Sequence, residues 1–139
     1  MNETECTVKF CKDCLTASGA EVFPIVAHRM QRRGTPDRLI YDISWAGLLE
    51  FKGVATRLEI HQAKLIYDLQ KRQPGGVFIV RMGNGSGTWL KINSVGVANG
   101  KYVEVPVDEF THDFTKPDGR RFLHKLQQLR YTATCTKTI

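Results

Sequence analysis

Long apolar runs and a secretory leader are both missing from the amino-acid sequence. No stretch approaches the roughly 18 consecutive apolar residues that a membrane-spanning helix needs, so we expect no transmembrane segment and no membrane partner. The residues after Met1 are polar and acidic, and they lack the basic and apolar regions of a signal peptide. These absences favour a cytoplasmic protein in which disulfide bonds do not form.

Cysteine is scarce, and its spacing gives only half of a familiar metal site. Of the 4 cysteines, Cys11 and Cys14 have the Cys-x-x-Cys spacing, but no second such pair and no His-x3-His follows. Cys6 and Cys135 could complete a site only through a contact made by the fold. We interpret the cysteines as small buried or half-buried thiols and keep a zinc-stabilised interaction module as an alternative.

The amino-acid composition is typical of one folded domain with a basic surface. The chain has 139 residues, of which 42% are hydrophobic and 24% charged, which is enough to bury a single core. Lys and Arg number 20 against 14 Asp and Glu, a net charge of +6. This balance favours an anionic partner, with nucleic acid first, although a solvated basic surface would have the same composition.

The pattern of apolar residues predicts a mixed α/β (α+β) fold, in which helices pack on a mixed central sheet. Val8, Cys11 and Leu15 recur at helical spacing and would form the buried face of a first helix that ends at Gly19. Two β-rich runs flank a turn at residues 44–47, as in a β-hairpin. The predicted helices cover residues 4–18, 56–72 and 120–131, and the predicted strands cover residues 21–26, 37–43, 48–52, 77–82, 89–92 and 102–107.

Charged residues that could perform chemistry concentrate on this hairpin. Glu50 and Lys52 should share one face of their strand, with Leu49 and Phe51 on the other, and the hairpin should bring Asp37 alongside. Two carboxylates and the backbone carbonyl of Phe51 are oxygen ligands that suit Mg²⁺, which polarises a phosphodiester and activates a bound water. Lys52 could orient that water or stabilise charge on the phosphate. An exposed ion pair and a Pro-Asp turn are the alternative interpretation.

Two further residues could join this group from the helices. Gln62 falls on the apolar stripe that Leu58 and Leu65 define, where a glutamine is either paired in the core or faces a site. Glu5 lies about 60° from Val8, at about 100° per residue, and could reach toward the sheet. An acidic residue in a first helical turn also simply complements the helix dipole.

The order of these residues resembles the PD-(D/E)xK nuclease superfamily. Within it, the order is similar to the VRR-Nuc (virus-type replication and repair nuclease) family and to the archaeal Holliday-junction resolvases. Residues 75–81 and 88–92 also resemble the strand pair that follows the second helix in the resolvases. The resemblance rests on Glu5, Pro36-Asp37, Glu50-Phe51-Lys52 and His61-Gln62.

This resemblance covers about residues 3–92 of a single domain at 1–139, and it implies a restriction-endonuclease-like sheet with a C-terminal β–α extension at about 93–139. It implies a metal-dependent DNA endonuclease that uses Mg²⁺, or Mn²⁺. The substrate would be branched DNA such as a Holliday junction, and the enzyme a homodimer, because two strands need two active sites. By resemblance, the site residues are Asp37 and Glu50 as metal ligands, Lys52 as the catalytic lysine, Glu5 assisting the metal or water, and Gln62 orienting the site.

Basic residues around the motif predict where DNA would bind. Phosphate contacts position a duplex without reading its bases, and no helix-turn-helix or zinc finger is visible, so shape recognition is favoured. A sequence-specific homing or restriction enzyme, and a non-catalytic DNA-binding protein that keeps the fold, remain alternatives. The candidate DNA contacts are His28, Arg29, Arg32, Arg33, Arg38, Arg57 and Lys64.

Overall fold

A computed structural model describes residues 3–25, 36–82, 89–111 and 119–135. In these parts, six strands form one sheet in chain order, and three α-helices accompany it, which confirms the predicted mixed fold class. The helices are α1 (Glu3–Phe10), α2 (Ile60–Arg72) and α3 (Gly119–Cys135), and the strands are β1 (Glu21–Pro24), β2 (Arg38–Tyr41), β3 (Ala46–Gly53), β4 (Val77–Met82), β5 (Trp89–Ala98) and β6 (Lys101–Thr111).

The sheet is mixed because one of its pairings is parallel. Strands β3 and β4 run parallel and are joined by α2, whereas the other neighbouring strands pair antiparallel. A parallel connection needs a crossover of this kind, since the chain must return to the same end of the sheet. The predicted hairpin is confirmed, and its register pairs Tyr41 with Ala46 and Arg38 with Leu49.

Each face of the sheet has its own apolar core. On one face, Phe10 of α1 contacts Phe51 of β3 and Phe122 of α3, with ring centroids 6.0 Å and 5.1 Å apart. On the other face, Ile66 of α2 packs against Val77 of β4. The alternation of side chains along β3 and β4 therefore divides the apolar residues between two layers.

The first helix is longer than α1, and its buried face differs from the predicted one. A wider π turn at Cys11–Leu15 and a tighter 3-10 turn at Thr16–Ser18 continue it to Gly19, whose φ of 98° ends the helix as predicted. Val8 is 51% exposed, so its placement at the centre of the buried face was wrong. Cys11 and Leu15 are buried as predicted, and Cys6, Phe10 and Cys14 at i, i+4 spacing complete the buried face, because the large Phe10 side chain reaches the core.

The second helix begins four residues later than predicted. Glu59 has extended backbone angles and is the N-cap, and a capping box links it to Gln62. Leu58 lies before the helix, although its spacing fitted the helical stripe. The C-terminal end is as predicted, since Arg72 is the last helical residue.

The segment after residue 92 contains more β-structure than predicted, and it contributes to the core. Asn99 and Gly100 have φ of 52° and 74° and join β5 to β6 in a tight turn. Phe122, Leu123 and Leu126 of α3 are fully buried in the same cluster as Phe10. Residues after position 92 therefore complete the sheet and its core rather than being appended to them.

Several predicted features lie outside the described residues, among them the glycine-rich tip at 83–87 and the basic loop that carries His28, Arg29, Arg32 and Arg33. In the parts of the chain that are described, no helix is long and apolar enough to cross a bilayer.

Candidate active site

The hairpin brings the two candidate carboxylates together. Asp37 immediately precedes β2, and the β2–β3 register sets it beside Glu50. The Asp37 backbone N–H donates to Glu50 Oε1 at 3.1 Å, and the Phe51 N–H donates to Asp37 Oδ1 at 3.4 Å. Each carboxylate therefore accepts a bond from the backbone of the other strand, which fixes their relative position.

Glu50 is the most enclosed member of the group. It is 4% exposed, and its Oε2 atom lies 3.3 Å from Lys52 Nζ and accepts a hydrogen bond from Gln62 Nε2 at 3.2 Å. Glu50 and Lys52 share one face of β3, while Leu49 and Phe51 enter the opposite core, as strand alternation predicts. The structure thus brings Asp37, Glu50, Lys52 and Gln62 into one cluster.

The electrostatics of the cluster disfavour negative charge. Burial first, and the negative charge of Asp37 second, raise the pKa of Glu50 to about 7 despite the opposing charge of Lys52. Burial also raises the pKa of Asp37, although Arg38, the Phe51 N–H and Lys52 oppose that rise. Two adjacent carboxyl groups with raised pKa values form an environment in which a bound cation would restore the charged forms.

The donor set fits a hard divalent cation with few protein ligands. Across the described residues, no group of three or more His, Cys, Asp or Glu side chains is placed to hold a metal ion. Mg²⁺ requires no such group, since it commonly binds through one or two carboxylates and fills its octahedron with waters and substrate phosphate oxygens. Asp37 and Glu50 supply two carboxylates, and the carbonyl of Phe51 is the backbone ligand predicted between them.

The amide group of Gln62 is hydrogen-bonded through both its oxygen and its nitrogen. Its Oε1 atom accepts a hydrogen bond from the Glu59 N–H at 3.1 Å within the capping box, and its Nε2 atom donates to Glu50. Because the amide oxygen is occupied by the helix cap, the NH₂ group is directed at the carboxylate. The cap of α2 therefore fixes the orientation of a candidate site residue.

The other predicted residues are placed less centrally. Glu5 on α1 is exposed, and the argument from Val8 that turned it toward the sheet does not hold, so its role rests on the resemblance alone. Arg38 Nη1 donates to the Asp37 carbonyl at 3.0 Å and lies 3.9 Å from its carboxylate, so it partly neutralises Asp37. Arg57 and Lys64 are exposed.

The cysteines form no second candidate site in the described residues. Cys6, Cys11 and Cys14 are buried thiols that are not joined in a disulfide among the described residues, as interpreted from the sequence. Burial raises the pKa of Cys11 to about 11, which leaves it a protonated thiol at neutral pH. The side chain of Cys135 lies outside the description.

A second polar cluster next to Lys52 was missed by the sequence interpretation. Arg81 is the register partner of Lys52 on β4, and it donates from Nε and Nη2 to Glu104 at 2.7 Å and 2.8 Å. Asn93 also donates to Glu104. A signal was present, because Arg81 is the one charged residue in the apolar run Val77–Met82 and shares a face with Val77 and Ile79 by strand alternation.

A groove adjoins the N-terminal end of α2. It has a volume of about 790 Å³ and lies between the first turn of α2 and the β5–β6 turn. Its lining includes the basic residues Arg57, His61 and Lys101, the acidic residue Glu59, and Tyr102. The groove and Gln62 share the N-terminal end of α2, but Asp37, Glu50, Lys52 and Gln62 are not among the residues that line it.

Comparison with known proteins assigns no family: no protein-family model matches the chain, and no curated protein matches it significantly.

Proposed function

We propose that this chain is a metal-dependent DNA endonuclease of the PD-(D/E)xK type. The observation that carries the proposal is the meeting of Asp37, Glu50 and Lys52 at one end of the hairpin, with Gln62 bonded to Glu50. Three groups meet the Glu50 carboxylate: the backbone N–H of Asp37, the side chain of Lys52 and the side chain of Gln62. Exposed ion pairs and turn residues would have no reason to converge in this way.

Each member of the cluster has a role in phosphodiester hydrolysis. Asp37 and Glu50 would hold Mg²⁺ or Mn²⁺, which when bound activates water and polarises the scissile phosphate. Lys52 carries a positive charge 3.3 Å from Glu50 and would stabilise the negative charge that builds on the phosphate. Gln62 restrains Glu50, so that the carboxylate is already oriented before the substrate binds.

The surface around the cluster supports DNA as the substrate. The chain carries a net charge of +6, and Arg57, His61 and Lys101 line the groove beside α2. Basic side chains of this kind neutralise backbone phosphates and position a duplex without reading its sequence. Branched DNA as the preferred substrate and a homodimer as the working form come from the resemblance to the resolvases and are part of the same proposal.

The test is cleavage of a labelled four-way junction beside a linear duplex of matching sequence, each with Mg²⁺. We expect paired symmetrical nicks in the junction, which the Glu50→Ala variant does not produce. Glu109→Ala is the matched control, because Glu109 is a glutamate with a 77% exposed side chain on β6, paired with Lys91. Its cleavage should equal that of the unchanged protein.

Other outcomes have definite meanings. Cuts at fixed sites in the linear duplex would replace the junction substrate with a sequence-specific one and keep the nuclease. Binding to both DNAs without cleavage, in Mg²⁺ and in Mn²⁺, would contradict the proposed activity and favour a DNA-binding protein that retains the fold.

A further inference from the structure

Arg81 uses nearly all of its hydrogen-bonding capacity inside the protein. Besides its two bonds to Glu104, its Nη1 atom donates to the backbone carbonyls of Gly53 and Thr56, each at 2.6 Å. A guanidinium has five N–H donors, and four of these are directed at named acceptors. A side chain engaged in this way is suited to holding structure rather than to binding a substrate phosphate.

The two carbonyls that Arg81 binds lie at the start of the connection between β3 and helix α2. Gly53 directly follows Lys52, and Thr56 precedes the N-cap residue Glu59 by three positions. The connection is thus fastened at its start by Arg81 and at its end by the capping box. Gln62, the residue that completes the box, donates to Glu50.

The partners of Arg81 are arranged to hold it in place. Burial alone would raise the pKa of Glu104, but hydrogen bonds from Arg81 and Asn93, with the nearby charges of Arg81 and Lys52, keep that pKa below its ordinary value. Asn93 is 7% exposed, and within the described residues its Oδ1 atom has no hydrogen-bond partner. A buried amide with an unsatisfied oxygen is costly, which indicates that it is kept for the bond to Glu104.

We propose that Arg81, held by Glu104 and Asn93, is a positioning residue of the site: it fixes the β3–α2 connection and thereby holds Lys52 and Gln62 in place around Glu50. This inference rests on the proposed endonuclease function and adds to it a residue outside the PD-(D/E)xK pattern. Arginine is required because its planar fork spans a carboxylate and two carbonyls, whereas lysine presents three donors from a single nitrogen.

The principal test is single-turnover and steady-state cleavage by Arg81→Lys. We expect kcat to fall on the order of 10- to 100-fold, as it does when reacting groups are slightly misplaced. KM for DNA should stay within about twofold, because the donors of Arg81 are directed at Glu104 and two backbone carbonyls. Arg120→Gln is the matched control, since Arg120 binds Asp42 through two nitrogens at another part of the fold and should leave both constants unchanged.

A second variant tests the proposal in case a single substitution at Arg81 prevents folding. Replacing Arg81 alone with a neutral residue would leave the Glu104 carboxylate without its cationic partner. The double variant Arg81→Gln/Glu104→Gln therefore removes both charges together. We expect it to fold and to lose kcat as Arg81→Lys does, because glutamine cannot bind both carbonyls and residue 104 at once. A double variant that folds with unchanged kcat would overturn the proposal.

Combining Arg81→Lys with Gln62→Ala distinguishes a positioning role of Arg81 from a general loss of stability. If Arg81 acts through the connection, Arg81→Lys should lower kcat much less in a Gln62→Ala background than in the unchanged protein. If the two substitutions lowered kcat by independent factors, so that their effects on the activation free energy added, the proposed route would be contradicted. A change in KM alone would also contradict it.

Hydrogen exchange distinguishes failure of this inference from failure of the proposed function. Amides at residues 54–59 should exchange faster in Arg81→Lys, while amides of α3 stay as they are. An unchanged protein that does not cleave DNA would refute the endonuclease, and the exchange rates would still decide whether Arg81 fastens the connection. Unchanged exchange at residues 54–59 would refute the fastening even if cleavage occurs.

Discussion

At the scale of single residues, the carboxyl group of Glu50 makes the fold less stable than a neutral side chain would. Its burial beside Asp37 raises its pKa to about 7, so the folded protein retains a proton that the unfolded chain releases at its ordinary pKa of 4.5. Between these values the folded state binds more protons than the unfolded state, and stability therefore falls as pH rises. The cost is fully present above about pH 7.

Replacing Glu50 with glutamine should remove this dependence on pH. In Glu50→Gln, the free energy of unfolding relative to the unchanged protein should increase by up to about 3 kcal/mol between about pH 5 and about pH 8, in the absence of metal. Urea unfolding at the two pH values measures it. Glu109→Gln serves as the exposed control, and parallel pH curves for the unchanged protein and Glu50→Gln would contradict the buried position of Glu50.

At the scale of secondary-structure elements, α2 carries two glutamines with comparable bonding and different expected functions. Gln62 bonds the Glu59 N–H and the Glu50 carboxylate, and Gln70 bonds both backbone groups of Val95, at 2.8 Å and 2.9 Å. Both attach the helix to its surroundings. Only Gln62 touches the candidate site.

The pair supports a matched comparison. Gln62→Ala and Gln70→Ala should each lower the free energy of unfolding by about 1 kcal/mol, since each removes a cap or a pair of hydrogen bonds. Cleavage under folding conditions should fall in Gln62→Ala and stay normal in Gln70→Ala. Equal cleavage by the two variants would remove Gln62 from the site.

Local patterns predicted the elements better than their ends. Strand alternation was sufficient to place Glu50 and Lys52 on one face of β3, and the β-rich runs were sufficient to predict the hairpin. The start of α2 was missed because Leu58 fits a helical stripe whether or not the backbone is helical there. The cap between Glu59 and Gln62 decides the boundary, and the periodicity of apolar residues contains no information about caps.

Long-range contacts could not be predicted from the sequence. Arg81, Asn93 and Glu104 lie on three different strands, and their meeting depends on the order and register of those strands. The Asn99-Gly100 turn was visible in the sequence as a hairpin signal, and with it the pairing of β5 and β6 could have been anticipated. Phe10 rather than Val8 is buried because α3 packs on the side of the first helix that carries Phe10, and the sequence does not show that contact.

At the scale of the whole molecule, the C-terminal helix belongs to the core that supports the site. Phe122 is fully buried and meets the ring of Phe10 edge-on at 5.1 Å, and Phe10 also contacts Phe51, the residue between Glu50 and Lys52. The side of β3 that faces away from the site is therefore packed by residues from both ends of the chain.

Truncating this contact should destabilise the entire fold. Phe122→Ala should lower the free energy of unfolding by about 3–5 kcal/mol, as for other buried phenylalanines. Tyr131→Ala, on the 71% exposed side chain of the same helix, should change it by less than about 0.5 kcal/mol. Denaturant titration distinguishes them, and a similar small effect for both would contradict the shared core.

The basic groove should govern how DNA binding depends on salt. Replacing Arg57 and Lys101 with alanine should weaken binding to any duplex and reduce the slope of log K against log salt concentration by about two. The control is Lys9→Ala/Lys12→Ala on the first helix, which packs on the other face of the sheet. If the control reduces the slope as much as the groove variant does, DNA does not follow the groove.

The central claim is that Asp37 and Glu50 together hold a divalent cation beside Lys52, and calorimetric titration with Mn²⁺ tests it most directly. We expect one ion per chain, with protons released on binding near pH 7 because Glu50 is partly protonated without metal. Lys52→Ala should retain the ion, whereas Asp37→Ala and Glu50→Ala should lose it. Mn²⁺ binding of equal affinity in the unchanged protein and in Glu50→Ala would contradict the account.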